Sequence, residues 1–295
     1  MRERALVLGG GGVTGVAWEI GLLHGLAERG VDLTGADLVL GSSAGSIVGA
    51  SVAAGRPLDV MYQGQLEAPA PESESAPAVA ASLGVAVIAR MIWVTVTSRD
   101  PARARARIGK MALAADTESE ADQRRVIAAR LPAEWPDRPL QVTAVDAGTG
   151  ELTVFDAASG VPLVDAVGAS CAVPGVWPPV TIGERRFIDG GIRSPANADL
   201  AKGYGQVVIV APIIRGMSRQ GGVRWQAAAL AAAGARVAVI GPDAAATAAI
   251  GRNVLDPARR APAARAGYAQ ASSVVEQVAA VWQAQDAGPK SVPPG

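Results

Sequence analysis

Histidine and cysteine are almost absent from this sequence. His24 and Cys171 are the only residues of these two types among 295. A lone cysteine excludes an intramolecular disulfide and is typical of a reducing compartment. Because zinc sites draw their ligands mainly from these two residue types, we expect no metal site.

Net charge is absent as well, since 27 Lys and Arg residues balance 27 Asp and Glu residues. Without a global field of either sign, nothing in the composition favours nucleic acid as a partner. Residues 1–4 lead straight into an apolar run, which leaves no place for the core of a signal peptide. We therefore expect a cytoplasmic protein that binds no nucleic acid.

Short apolar runs alternate with helix-like segments along the chain. This alternation predicts an α/β protein with a largely parallel, buried sheet. We expect a single domain over 1–286, with a flexible insert at about 67–78 and a disordered tail at 287–295, because both of those stretches are rich in Pro and other turn-forming or polar residues. The predicted strands are Ala5–Leu8, Asp37–Leu40, Leu140–Val145, Glu151–Phe155, Gln206–Ala211 and Arg236–Ile240.

A long apolar stretch, Val79–Thr97, is interrupted by one charge, Arg90, and a basic cluster follows it up to Lys110. As a membrane span it is disfavoured, because Arg90 near its centre would cost about 2.5–3.5 kcal/mol. A core or lid helix is the favoured interpretation. A peripheral membrane contact through 79–110, with Trp93 at headgroup level, stays open.

The most informative motif is Gly-Ser-Ser-Ala-Gly at 41–45, which places Ser43 between an apolar strand and a helix-like segment. A nucleophile elbow requires this strand–serine–helix order. Gly41 and Gly45 allow the sharp turn that would expose the Ser43 hydroxyl. The motif predicts a serine nucleophile.

The only histidine is poorly placed to activate that serine. In α/β-hydrolases the histidine follows the nucleophile, whereas His24 precedes Ser43 and lies in a predicted helix over 15–29. A structural role for His24 is favoured. If Ser43 is a nucleophile, its base is then expected to be a carboxylate.

Two functions compete for the glycine run at 9–15, which follows the first strand. Gly10, Gly12 and Gly15 fit the dinucleotide fingerprint Gly-x-Gly-x-x-Gly. That fingerprint also needs an acidic residue at the end of the second strand, where the Ser43 motif stands instead. The alternative is an oxyanion hole made of backbone N–H groups that glycine leaves accessible, and this alternative is favoured.

Asp189 follows a short apolar run and precedes two glycines, so it is expected on a tight turn at a strand end. A turn role is favoured by spacing alone. A role as a base would require burial, because an ordinary aspartate with a pKa near 3.9 is a weak base toward a hydroxyl group.

Taken in order, Gly10–Gly15, Gly41–Gly45 and Asp189–Gly191 resemble the three signatures of the patatin-like phospholipases. The segments 169–180 and 145–151 resemble further parts of that family, so that the similarity reaches from Leu6 to about Gly267. One position departs from the pattern, since Thr14 stands where the family often has Arg or Lys.

The resemblance implies a three-layer α/β/α sandwich and a Ser-Asp dyad without histidine or cofactor. In it, Ser43 would be the nucleophile and Asp189 the base, and the backbone amides of Gly10, Gly11 and Gly12 would form the oxyanion hole. The expected function is hydrolysis of lipid or other acyl esters. Two alternatives remain: a non-catalytic lipid- or acyl-binding protein, and a dinucleotide-binding oxidoreductase.

Overall fold

The computed structural model describes residues 4–67 and 85–283. Except for Glu67, the insert predicted at 67–78 lies outside these residues, as does the tail predicted at 287–295. Within the described residues, eight strands form one sheet, namely β1 (Arg4–Leu8), β2 (Leu38–Ser42), β3 (Leu140–Asp146), β4 (Leu152–Phe155), β5 (Val180–Ile182), β6 (Arg185–Asp189), β7 (Gln206–Val210) and β8 (Arg236–Ile240).

Hydrogen-bonded neighbours follow the path β5-β6-β3-β2-β1-β7-β8, and β4 also pairs with β3. Strands β2 and β6 pair with different residues of β3, so this path does not place them on opposite edges of it. Strands β1, β2, β3, β7 and β8 run parallel, whereas β4 and β6 are antiparallel to β3 and β5 is antiparallel to β6. All six predicted strands are present, and the prediction of a largely parallel sheet is confirmed.

Helices connect the strands and cover the sheet. The α-helices of the described residues are α1 (Gly12–Glu28), α2 (Ala44–Ala53), α3 (Leu58–Leu66), α4 (Val85–Thr97), α5 (Pro101–Leu113), α6 (Glu120–Ala128), α7 (Leu163–Ser170), α8 (Val223–Ala232), α9 (Ala244–Ile250) and α10 (Arg260–Trp282).

Both faces of the sheet are buried, as alternate residues of β1 show. Leu6 and Leu8 pack into a core with α1, α2 and α10, while Ala5 and Val7 pack into a separate core with α8 on the opposite face. Such burial on two faces explains why the strands read as continuous apolar runs. The three-layer α/β/α arrangement is confirmed.

The ends of β2 and β6 meet beside β3. Strand β2 runs up one edge of β3 until Ser42 pairs with Thr143, and antiparallel β6 runs down until Asp189 pairs with Ala144. Strand β4 pairs with some β3 residues that also pair with β2 and with others that also pair with β6. Because a residue pairs with only one strand along each edge, β4 lies along the edge of β3 opposite to both. Hence β2 and β6 share one edge and end at adjacent residues of β3, which brings their next side chains together.

The apolar stretch predicted at 79–97 forms helix α4 from Val85 onward, and its residues 79–84 lie outside the described part. Met91 and Val94 are buried against α5, whereas Trp93 is 66% and Val96 73% exposed. Within the described ranges, we find no helix that combines the length and apolarity needed to cross a bilayer.

Candidate active site

Ser43 lies at the turn between β2 and α2 in a conformation that only glycine adopts easily. Its φ is 53° and its ψ is −121°. Such backbone strain costs about 1–3 kcal/mol and is typical of functional positions. At Gly41, an added Cβ would lie 2.5 Å from Ser46 Cα, so this glycine lets α2 fold back against the strand end.

The structure brings Ser43 and Asp189 into direct contact. Ser43 Oγ donates a hydrogen bond to Asp189 Oδ2 at 2.7 Å. The other carboxylate oxygen, Oδ1, accepts the Gly191 N–H at 2.6 Å, which fixes the orientation of the carboxylate. Both side chains are buried, with Ser43 only 8% exposed and Asp189 4% exposed.

Burial raises the pKa of Asp189 from 3.8 to about 6, and the hydrogen bonds from Ser43 and the Gly191 N–H oppose this rise. A carboxylate with this pKa is a stronger base than an ordinary aspartate and is still ionised at pH 7. The site therefore has the properties that an aspartate base requires.

The glycine loop lies against the nucleophile turn. A Cβ added to Gly10 would be 3.2 Å from Ser43 Cβ, but the Gly10 N–H is already donated to the Pro195 carbonyl at 2.7 Å. Gly11 and Gly12 are the cap and first residue of α1, where N–H groups lack acceptors within the helix. Of the three amides that we predicted as oxyanion donors, Gly11 and Gly12 thus remain available.

Thr14 is held by the backbone of Val254. Its N–H and hydroxyl both donate to the Val254 carbonyl, at 3.1 and 3.2 Å, and its side chain is buried.

Strand β2 ends at Ser42 without an acidic residue, so it offers no partner for the ribose of a dinucleotide.

Asn197 connects the two halves of the site, and sequence reasoning did not single it out. Its Nδ2 lies 3.0 Å from Ser42 Oγ, 3.2 Å from Thr143 Oγ1 and 3.2 Å from the Gly190 carbonyl. It is buried with a φ of 49°, a region that asparagine tolerates better than most residues. Asn197 therefore ties the end of β2 to the Asp189 turn.

A small apolar cavity of about 80 Å³ lies beside Ser43. Val13, Ile47 and Trp177 are among the residues that line it, so it offers room for an apolar part of a substrate. Trp93 lines a different cavity, between α4 and α5.

Other reactive side chains near the site are engaged or inert. Asp146 pairs with Arg185 and Asp199 with Arg193, each at 2.6 Å. Cys171 lines the same cavity as Ser43, but burial raises its pKa to about 12, so the thiol is protonated at neutral pH.

His24 packs on α1 between two tyrosines rather than at the site. Its ring centroid lies 4.9 Å from that of Tyr62 and 5.6 Å from that of Tyr268, and Nε2 is 3.4 Å from Glu28.

A His24→Asn variant is therefore expected to keep kcat for ester hydrolysis within about tenfold of wild type, less than the 10²–10⁴ that loss of a general base typically costs. Steady-state kinetics on a folded variant checks this. A loss of about a thousandfold would revive a histidine-based mechanism.

Comparison with known sequences identifies a family match over most of the chain. The model described as Patatin, patatin-like phospholipase, matches residues 6–202. Uncharacterized NTE family proteins of Mycobacterium bovis and Mycobacterium tuberculosis are each 30% identical over 204 residues, which cover 66% of this chain and 47% of the relative. The chain thus spans about half the length of these curated relatives.

Solved structures give weaker matches. VipD from Legionella pneumophila has 14% identity and a TM-score of 0.48, covering 94% of this chain and 67% of that chain. ExoU from the type III secretion system of Pseudomonas aeruginosa, in complex with SpcU, has 17% identity and a TM-score of 0.38, covering 96% and 53%. At these scores the comparison adds nothing to the sequence match.

Proposed function

The chain belongs to the patatin-like phospholipase family, and on that basis we propose that it is a serine hydrolase of lipid acyl esters. Ser43 is the nucleophile and Asp189 the general base. The observation that carries the proposal is the 2.7 Å hydrogen bond between Ser43 Oγ and a buried carboxylate whose pKa is raised to about 6.

In the first half of the reaction, Asp189 Oδ2 takes the hydroxyl proton while Ser43 Oγ attacks the ester carbonyl. Collapse of the tetrahedral intermediate breaks the bond to the alcohol, which leaves with the proton from Asp189. In the second half, Asp189 takes a proton from water, the resulting hydroxide attacks the acyl–Ser43 ester, and the proton returns to Ser43 Oγ. The net reaction consumes one water and releases an alcohol and a carboxylic acid.

The N–H groups of Gly11 and Gly12 are proposed to stabilise the oxyanion. Their place at the start of α1 supports this, because the first N–H groups of a helix are free to donate and the helix dipole favours negative charge there. Gly12 also lines the cavity beside Ser43. Loss of one such donor typically costs about 2.7–4 kcal/mol of transition-state stabilisation.

The same apolar cavity would also suit a protein that binds acyl chains without hydrolysing them. That alternative gives no reason for a buried aspartate hydrogen-bonded to a strained serine. The two candidates differ in reactivity, since only an activated serine reacts rapidly with a fluorophosphonate.

We expect one fluorophosphonate adduct per chain, on the peptide that contains Ser43, and none on Ser43→Ala protein. Intact mass and peptide mapping measure it. The same two proteins, tested on p-nitrophenyl esters and phospholipids, should show turnover only for wild type. An adduct on Ser42 or Ser46, or a wild type that binds lipid but is neither labelled nor active, would contradict the proposal.

A peripheral membrane contact through residues 79–110 is part of the proposal. Ile92, Trp93 and Val96 are exposed along α4 at 45%, 66% and 73%. Apolar side chains beside cations suit a helix at the headgroup level of an anionic bilayer. The cations that share a cavity with Trp93 are Arg90, Arg107 and Lys110.

Binding to vesicles that contain anionic lipid is expected to be weak and to fall with salt, because exposed charges are screened. Reversing Arg107 and Lys110 to Glu should weaken co-sedimentation, whereas reversing Arg224, on α8, should not. Arg105 is left intact because its Nε donates to the Gly150 carbonyl at 2.6 Å. Co-sedimentation that changes neither with salt concentration nor with these substitutions would mean that another part of the protein contacts the membrane.

A further inference from the structure

A second cavity, of about 250 Å³, adjoins the one beside Ser43. The two cavities share four lining residues, Val13, Val16, Ile47 and Arg130. A molecule bound at Ser43 can therefore extend past Arg130 into the second cavity without leaving the protein surface.

Three arginines from separate parts of the chain line this second cavity. Arg56 follows α2, Arg130 lies just beyond the end of α6, and Arg260 is the first residue of α10. None of the described residues that line the cavity is acidic, and its other polar side chains are Ser51 and Gln65. The cavity is thus positively charged and offers neutral hydrogen-bonding groups beside the charges.

The arginines are not neutralised by carboxylates of the described residues. Arg185 and Arg193 each have an aspartate partner at 2.6 Å, whereas the ion pairs of the described ranges include neither Arg130 nor Arg260. Arg260 Nη2 donates instead to the Glu67 carbonyl at 2.5 Å. Burial lowers the pKa of Arg130, and the nearby charge of Arg260 lowers it further.

A guanidinium keeps its charge despite such shifts. Two like charges held beside one cavity repel each other, and a bound anion relieves that repulsion. Arginine presents paired N–H groups that match the oxygens of a phosphate, and the positive end of α10 lies beside Arg260.

We propose that Arg130, Arg260 and Arg56 form a subsite for a phosphate group carried by the substrate, next to the ester that Ser43 attacks. The proposal rests on the proposed function for the position of the ester. It makes the arginines specificity determinants that favour phosphorylated acylglycerols over neutral ones.

A matched substrate pair tests this: an acylglycerol and its 3-phosphate with the same acyl chain. Arg130→Gln is expected to lower the ratio of kcat/KM for the phosphorylated over the neutral ester by about tenfold or more. Arg130→Lys should restore part of the ratio, and Arg224→Gln should leave it unchanged. Equal losses on both esters, or no change in the ratio, would overturn the subsite.

Binding to Ser43→Ala protein separates this proposal from the proposed function, because it needs no hydrolysis. Calorimetry with the acylglycerol phosphate should show binding that Arg130→Gln weakens by about tenfold. If this dependence appears while wild-type protein hydrolyses no ester, the subsite stands and the hydrolase proposal fails. If wild type hydrolyses esters but this dependence is missing, only the subsite fails.

Inhibition by inorganic phosphate tests whether the arginines bind the phosphate group of the substrate or a free anion. As a mimic of the substrate's phosphate, it should inhibit turnover of the phosphorylated ester competitively and affect the neutral ester less. Phosphate that raises the melting temperature through Arg130 while inhibiting both esters equally would mark a free-anion site and overturn the assignment to the substrate.

Discussion

Replacing Gly45 with alanine is expected to lower the free energy of unfolding by about 3 kcal/mol or more. An added Cβ would lie 2.2 Å from the Leu8 carbonyl oxygen and 2.3 Å from its carbon. These are backbone atoms in the centre of the sheet, so they cannot move aside as a side chain can. The Gly45 N–H also donates to the Gly9 carbonyl at 3.0 Å, so a shift of α2 would break a bond to the glycine loop. Urea unfolding measures the loss.

Gly64→Ala is the matched control. Gly64 lies within α3, and a Cβ added there would meet nothing within 4 Å. Alanine has the higher helix propensity, so this variant should gain up to about 1 kcal/mol. A Gly45→Ala protein as stable as wild type would show that α2 does not pack against β1 as closely as the structure has it.

The central strands could be predicted from sequence because both of their faces are buried, which makes them continuous apolar runs. Strands β5 and β6 could not be delimited in the same way. The former has only three residues and the latter begins with Arg185 and Arg186, so neither shows a clear apolar run. Their position depends on pairing with β3, which is a tertiary property.

The residues of the site likewise differ in whether a local sequence pattern or tertiary pairing determines them. Ser43 could be identified because its motif is local and lies between a strand and a helix. The contact with Asp189 spans 146 residues and follows from two strands that end on one edge of β3. The engagement of the Gly10 N–H by the Pro195 carbonyl, like the bridging role of Asn197, is set by that same juxtaposition and leaves no spacing pattern in the sequence.

Asp189→Asn is expected to lower kcat by about 10²–10⁴ while the fold is kept. The asparagine carbonyl oxygen can still accept the Gly191 N–H, and its amide can face Ser43 Oγ, so the shape survives while the basicity is lost. Steady-state kinetics and circular dichroism check both parts. Asp59→Asn, an exposed residue of α3, is the matched control and should keep wild-type kcat.

The raised pKa of Asp189 also predicts how activity and stability depend on pH. Wild-type kcat/KM should fall about tenfold per pH unit below about 6, because the base must be ionised. The folded state also binds this proton more tightly than the unfolded state, whose pKa is near 3.8. The aspartate therefore lowers stability progressively as pH rises from about 4 to about 6, by about 3 kcal/mol in total.

Asparagine carries no such charge, so the stability of Asp189→Asn relative to wild type should depend on pH in a defined direction. Near pH 4 the two proteins should differ little, and at pH 7 the variant should be more stable, by up to about 3 kcal/mol. An inactive variant that is also the more stable protein at pH 7 identifies a buried charge kept for chemistry rather than for folding. A variant with wild-type kcat would remove Asp189 from the mechanism. A variant that loses stability equally at both pH values would make the carboxylate a structural turn residue.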